Sequence, residues 1–240
     1  MKSDFDYDTI PIGYYDDVYL RRRGIQSKWH HMKFNFIKEK IVRSASHLDL
    51  ACGAGTFLGM ISNPKSKQIG IDISFSQVRE ASLRHARSNR IFLQSDVTDL
   101  PFSESTFETV SAVELIEHLI TDVIDKALEE SFRVLKPGGT LILSTPNYNS
   151  LIWIIEPMIG WFSEVSYEDQ HITKYNRKSL LKALQTHGFE DISVQGFMFS
   201  APFLAFLGWN FPEKIAKLEP EILVNRFGLL LYASAKKPRA

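Results

Sequence analysis

A mostly parallel α/β sheet with helices on both faces is the architecture implied by this 240-residue sequence. Three observations lead there. Short apolar runs alternate with polar segments of helical length between residues 47 and 146, the pattern of β-α-β units. A glycine corner, Gly53 and Gly55, directly follows the first of these runs. An acid stands near the carboxyl end of each of the first three runs: Asp49, Asp72 and Asp96.

The elements follow in order. Residues 1–14 read as an arm, and Tyr15 to Arg43 as a helix whose apolar positions, from Ile25 through Trp29, Met32, Phe36 and Ile37 to Val42, are spaced by threes and fours. "HLDLA" (47–51) is a buried strand, and a helix begins after Gly55. "KQIGIDI" (67–73) is the second strand, and 76–88 a helix with Ser74 or Ser76 available as its cap. Residues 90–96 and 107–114 are the third and fourth strands. A helix over 115–135 stops at "KPGG", where proline and glycine cannot continue it, and 140–146 is the fifth strand. A helix over 177–189, ended by Gly188, and two strands in "EDISVQGF" (190–197) and "FGLLLYASAKK" (227–237) close the chain. The apolar stretches 150–162 and 196–211 fall outside this alternation.

Composition narrows the function classes. With 28 basic and 28 acidic residues the formal charge is zero, which lacks the basic footprint of a nucleic-acid binder. The single cysteine, Cys52, has no internal disulfide partner, which points to a reducing compartment and a cytoplasmic protein. The acidic N-terminal stretch does not read as a signal peptide. No segment supplies the ~18 uninterrupted apolar residues of a membrane span.

In an open parallel sheet, ligands bind beyond the carboxyl ends of the strands. Glycines at the first strand-to-helix corner let a ligand approach the backbone closely. A dinucleotide fingerprint fails here, because Leu58 stands where its third glycine or alanine belongs, and no lysine completes a phosphate-binding P-loop. What remains is Asp49, Ala51, Gly53 and Gly55 at alternate positions, followed by Asp72, placed to accept ribose hydroxyls, and Asp96, placed to accept a base amino group.

Taken together, "LDLACGAG", "GIDIS", "SDVTDLPFSESTFETVSAVELIEHL" and "VLKPGGTLILSTPN" resemble the class I S-adenosylmethionine-dependent methyltransferases, in order from about residue 47 to 147. The resemblance implies a Rossmann-like, seven-stranded sheet whose last strand is antiparallel. It implies S-adenosyl-L-methionine as cofactor and S-adenosyl-L-homocysteine as product. The Gly53–Gly55 corner would face the methionine part, Asp72 the ribose, and Asp96 with Val97 the adenine; Asp49, Ala51, Ile73 and Val113 complete the expected cofactor site. Ala51 departs from the family's usual glycine, and Glu108 from its usual aspartate.

The resemblance divides one methyltransferase domain (1–240) into an arm and helix (1–44), a cofactor core (45–147) and acceptor-side helices with the last two strands (148–240). Methyl transfer from a sulfonium needs alignment above all, worth ~7–11 kcal/mol, and a base only where the acceptor must lose a proton. Glu114, Glu117 and His118 would share one side of a helix starting at residue 115, and His171 follows later. His171, His118 and Glu114 are the candidate catalytic residues. The same four side chains, Glu114, Glu117, His118 and His171, are candidate metal ligands, since a Glu-x-x-Glu-His unit holds a divalent cation in similar quinone-precursor and small-RNA O-methyltransferases. The metal-free arrangement is the preferred expectation. "RRR" (21–23) reads as a solvated helix face, with cofactor carboxylate or lipid phosphate as the alternative.

The expected acceptor is a small, partly apolar molecule, such as a quinone precursor, lipid or glycolipid. Peripheral contact with a bilayer is a further option, because the apolar stretches 150–162 and 196–211 carry three of the four tryptophans. The alternatives are an RNA 2′-O-methyltransferase, disfavoured by the charge balance, and a cofactor-binding regulatory protein without catalysis.

Overall fold

A computed structural model describes residues 11–41, 44–151 and 171–239. Seven strands form one sheet: β1 (Ser46–Leu50), β2 (Lys67–Asp72), β3 (Arg90–Gln94), β4 (Phe107–Val113), β5 (Leu135–Pro146), β6 (Glu190–Phe197) and β7 (Leu230–Lys236). Their spatial order is β3-β2-β1-β4-β5-β7-β6. β1 to β5 pair in parallel, while β7 runs antiparallel to both β5 and β6. The expected mostly parallel, seven-stranded sheet with an antiparallel last strand is therefore what forms.

The helices are α1 (Tyr14–Arg21), α2 (Gly24–Ile41), α3 (Thr56–Gly59), α4 (Phe75–His85), α5 (Thr121–Val134), α6 (Arg177–Thr186), α7 (Phe211–Ala216) and α8 (Glu221–Phe227). Two apolar layers cover the sheet. On one face Leu48, Leu50, Val110 and Ala112 pack against Ile124 and Leu128 of α5 and Leu180 and Leu184 of α6. On the other, Phe92, Ile142 and Tyr232 pack against Ile37 of α2, Phe57 of α3, and Val78 and Ala81 of α4. Tethers position α1: Asp16, 1% exposed, accepts from Arg84 Nη1 at 2.9 Å and pairs with His85 Nε2 at 3.0 Å.

Three local expectations are corrected. The helix expected over 15–43 is two helices. Arg22 adopts a left-handed backbone (φ 49°) and Gly24 follows with φ 79°, so the chain turns between α1 and α2. Arg21, Arg22 and Arg23 are exposed as expected; Arg21 ends α1, and Arg22 and Arg23 lie in the turn that follows it. The helix expected over 115–135 is a 3-10 turn, Ile116–His118, followed by α5 from Thr121. The "KPGG" stretch belongs to the irregular start of β5, where the register against β4 shifts between Phe107 and Thr109.

Ser74 takes the N-cap position of α4, although its hydroxyl bonds Ser76 Oγ rather than the helix backbone. Glu108 accepts from Ala45 N at 2.8 Å and lies 3.5 Å from Lys136 Nζ. Of the two stretches outside the alternation, 196–211 forms the end of β6, a 3-10 turn Ala201–Leu207 and the start of α7. Residues 152–162 of the other lie outside the described residues, as do 1–10 of the arm and 42–43 of the expected first helix.

Candidate active site

The corner after β1 is built by backbone conformation. Ala51, Gly53 and Gly55 all have positive φ (52°, 52° and 79°). A left-handed backbone costs an L-residue ~1–2 kcal/mol, so glycine suits these positions and Ala51 is strained. The two glycines differ in their surroundings. A Cβ on Gly55 would lie 2.8 Å from the Phe92 ring and 3.0 Å from Ala81 Cβ, so this glycine lets the corner pack against β3 and α4. A Cβ on Gly53 would meet nothing within 4 Å, so its open side is the one available to a ligand.

Asp72, half-buried at the end of β2, ties this corner to the next. Its Oδ2 accepts from Gly53 N at 2.8 Å and its Oδ1 from Ser74 N at 2.9 Å. Burial raises its pKa, opposed by the N–H groups of Ser74, Gly53 and Ile73. Each carboxylate oxygen keeps a second lone pair for a ligand hydroxyl. Ile73 beside it is 61% exposed and offers an apolar face. Asp96 is exposed past β3, where Oδ1 accepts from Thr98 N (2.9 Å) and Thr98 Oγ1 (2.8 Å); Val97 beside it is half-buried.

Asp49 is placed differently from the other two acids. It is 3% exposed, sealed beneath the corner, and accepts a hydrogen bond from Ser111 Oγ of β4. Of the three strand-end acids, Asp72 is half-buried and Asp96 exposed, whereas Asp49 is enclosed. His47 Nε2 lies 2.8 Å from the same hydroxyl. Ser111 has one proton and gives it to Asp49, so His47 donates through Nε2–H and its buried Nδ1 has no partner. Burial accounts for both shifts: it lowers the His47 pKa to about 3 and raises that of Asp49 to about 7.

At the end of β4, half-buried Val113 leads into Glu114, whose φ is 54° and whose N–H donates to Ser144 O at 3.0 Å. The turn separates Glu114 from Glu117 and His118. The Glu114 carboxylate pairs with Lys33 of α2, which is 2% exposed. Glu117 turns inward and is 0% exposed. Its carbonyl accepts from Ile172 N (2.8 Å) and Thr173 N (3.0 Å), which straps the 171–173 segment onto the turn. His171 thereby reaches His118, with ring centroids 5.0 Å apart, and its Nδ1 lies 3.0 Å from Tyr148 Oη.

Among the described residues, Glu117, His118 and His171 bring one ligand atom each within 4.8 Å of one another; Glu114 is not part of this group. Among the described residues neither Glu117 oxygen nor the Thr145 hydroxyl meets full hydrogen-bond geometry, although Thr145 lies close enough to oppose the rise in the Glu117 pKa. Burial, and then the Glu114 charge, raise the Glu117 pKa to about 8. A metal bound near 2 Å from each ligand would require the three side chains to close by about 1 Å, a rotamer adjustment.

Several residues at this edge carry no sequence signal of their own. Lys33, His47, Ser111 and Tyr148 act through partners distant in the chain. Lys28, fully buried on α2, pairs with Glu213 of α7 at 2.5 Å and lies 3.7 Å from the Trp209 ring centroid. Lys28, His30, His31 and Lys33 form a run of buried polar side chains on α2 that the sequence of the helix does not signal. In the 196–211 stretch, Phe203 packs on Trp29 of α2 (centroids 6.1 Å apart), whereas Phe206 is 73% exposed.

This geometry has known counterparts. A family model described as a methyltransferase domain matches residues 22–194. A demethylmenaquinone methyltransferase of Symbiobacterium thermophilum is 30% identical over 203 residues, covering 77% of this chain and 78% of its own length. A ubiquinone biosynthesis O-methyltransferase of Idiomarina loihiensis is 26% identical over 165 residues, covering 64% and 65%. The chain spans from 31% to 78% of the lengths of the first curated relatives that it matches. In fold it is similar to an S-adenosylmethionine-dependent methyltransferase of Thermotoga maritima, described as a possible histamine N-methyltransferase, with TM-score 0.67, 18% identity and coverage of 95% and 96%. With the glycine corner, the seven-stranded sheet and a family match over most of its length, the chain belongs to the S-adenosylmethionine-dependent methyltransferase domain family.

Proposed function

We propose that the protein transfers the methyl group of S-adenosyl-L-methionine to a small, partly apolar acceptor, such as a quinone precursor, lipid or glycolipid. The observation that carries this reading is the adjacency of two sites on one edge of the sheet. The open corner at Gly53 and Asp72 lies at the ends of β1 and β2, and the Glu117, His118 and His171 group lies past β4. Relatives named for quinone biosynthesis support the acceptor class.

In this reading Gly53 and Gly55 shape the wall against the methionine part, above Asp49 and Ala51. Asp72 takes the ribose hydroxyls, Ile73 and Val113 lie against the cofactor, and Asp96 with Val97 faces the adenine. His171 is the base. With Nδ1–H donating to Tyr148 Oη, its Nε2 carries the lone pair that takes a proton from an acceptor hydroxyl. His118 lies beside it, and Glu114 with Lys33 forms the charged floor.

The Glu117 carboxylate, buried and without a geometric hydrogen-bond partner among the described residues, favours a second reading, in which Glu117, His118 and His171 hold a cation that orients the acceptor oxygen and lowers its pKa. Two imidazoles and one carboxylate suit Mn²⁺, Fe²⁺ or Zn²⁺ better than Mg²⁺. Incubation with methyl-labelled cofactor and a panel of phenolic quinone precursors, read by mass spectrometry, tests the function; a product heavier by one methylene unit is expected. Absence of label transfer to any phenol or lipid fraction contradicts it. EDTA followed by added Mn²⁺ separates the readings. Activity that is unchanged identifies the base, and activity that falls and returns identifies the metal.

A further inference from the structure

A cavity of about 460 Å³ opens at the carboxyl end of β5 beside the start of β7. Its volume lies in the ~300–1,000 Å³ range of small-molecule sites. Arg177 and Lys178 enter it from the first turn of α6, and Arg226 from α8, with the amides of Asn149 and Asn225 between them and Ile222 on an apolar wall. Among the described residues no carboxylate lines it. Arg84, Arg133, Lys28, Lys33, Lys136 and Lys236 each meet an acid. None of the three cavity cations does so among the described residues: Arg177 Nη1 lies 3.5 Å from Asn225 Oδ1, and Arg226 lies over the Phe227 ring. Three like charges around one partly apolar cavity repel one another until an anion arrives.

We propose that this cavity binds the anionic group, phosphate or carboxylate, of an otherwise apolar acceptor. Arg177, Lys178 and Arg226 contact the acid, and Ile222 lies against the chain that follows it. The placement fits an acceptor spanning both sites. Asn147 and Asn149, in the cavity wall, flank the Tyr148 that meets His171. β5 pairs directly with β4, which leads into the Glu117–His118 turn. At ~4.8 Å per strand, the cavity stands one or two strand spacings from that turn. The assignment rests on the proposed methyl transfer to a partly apolar acceptor, and adds an acid to that acceptor.

The test is calorimetric titration of the full chain with dodecyl phosphate, inorganic phosphate and neutral dodecyl maltoside, and sedimentation with phosphatidylglycerol vesicles. Dodecyl phosphate is expected to bind at least about tenfold more tightly than either other soluble probe, since the charge-assisted and apolar contacts act together. Arg177→Gln with Arg226→Gln should weaken it by about tenfold or more, with Lys178→Glu as an independent second variant. All three positions are exposed, so the melting temperature and S-adenosylhomocysteine affinity should not change. Cation-dependent binding to vesicles would identify a membrane headgroup as the source, and binding of the monomeric probe alone would identify a soluble acceptor; both support the site. Equal binding of dodecyl maltoside, or unchanged binding by both variants, overturns it. Failure of wild-type protein to bind S-adenosylhomocysteine while still binding dodecyl phosphate would contradict the methyltransferase reading and leave the anion site standing.

Discussion

The two glycines of the first corner make separable predictions. Gly55→Ala places a methyl 2.8 Å from the Phe92 ring and 3.0 Å from Ala81 Cβ, at φ 79°. Phe92 is 7% exposed within a packed cluster, so its ring has little room to move, and Ala81 is fixed by the α4 backbone. The left-handed backbone contributes ~1–2 kcal/mol and overpacking ~1–3 kcal/mol, giving about 2–5 kcal/mol of destabilisation. Gly53→Ala has the backbone term alone, about 1–2 kcal/mol, because its methyl meets nothing within 4 Å. That methyl instead occupies the open side assigned to the cofactor, so S-adenosylhomocysteine affinity should fall by about tenfold or more. Urea denaturation gives the first quantity and calorimetry the second. Equal destabilisation by the two substitutions, or unchanged cofactor affinity in Gly53→Ala, would refute the division of roles.

Other side chains give further tests. Glu117 has a folded pKa of about 8 against an ordinary 4.5, so its contribution to stability is fully present below the ordinary value and is lost as pH rises through the folded one. In EDTA, Glu117→Gln should flatten the stability–pH curve by up to ~1.4 kcal/mol per pH unit between about pH 5 and about pH 8; parallel curves for the two proteins would contradict the burial argument. Glu213→Gln replaces the anion opposite the buried Lys28 ammonium with a neutral amide beside the Trp209 ring and should destabilise by about 2–3 kcal/mol in urea titration, whereas a change near zero would mean that Lys28 finds water. His171→Ala should reduce methyl transfer while leaving cofactor affinity intact, and an equal loss of both would place His171 outside the acceptor site.

The sequence was most readable where the determinants are local. The β1 corner follows from its own glycines, and Asp72 from its place at the end of an apolar run. Long-range partners were not readable in the same way. Lys33 looks like a solvated helix residue until Glu114, distant in sequence, is brought against it. β1 reads as a buried strand and is one, but its own residues do not say how His47 and Asp49 are satisfied there, since Ser111 of the neighbouring strand serves both. The single helix expected after β4 fails because tertiary bonds prevail there: Glu114 N–H goes to β5, and the Glu117 carbonyl accepts from 172 and 173. That strap also brings His171 to His118, an adjacency the sequence could raise only as a possibility. The break between α1 and α2 is marked by Gly24, and the apolar periodicity that supported one helix begins only at Ile25, beyond it.

The most direct test of the central claim is calorimetric binding of S-adenosylmethionine, S-adenosylhomocysteine and NADH to the wild-type protein and to Asp72→Asn. Wild-type protein should bind both sulfur cofactors with micromolar affinity and NADH not at all. Asp72→Asn loses the anionic acceptor at the ribose and the tie between the first two corners, and should bind the sulfur cofactors ~10–100-fold more weakly. Wild-type binding of NADH without binding of the methyl donor would contradict the account, and equal affinities in the two proteins would contradict the placement of the cofactor at Asp72.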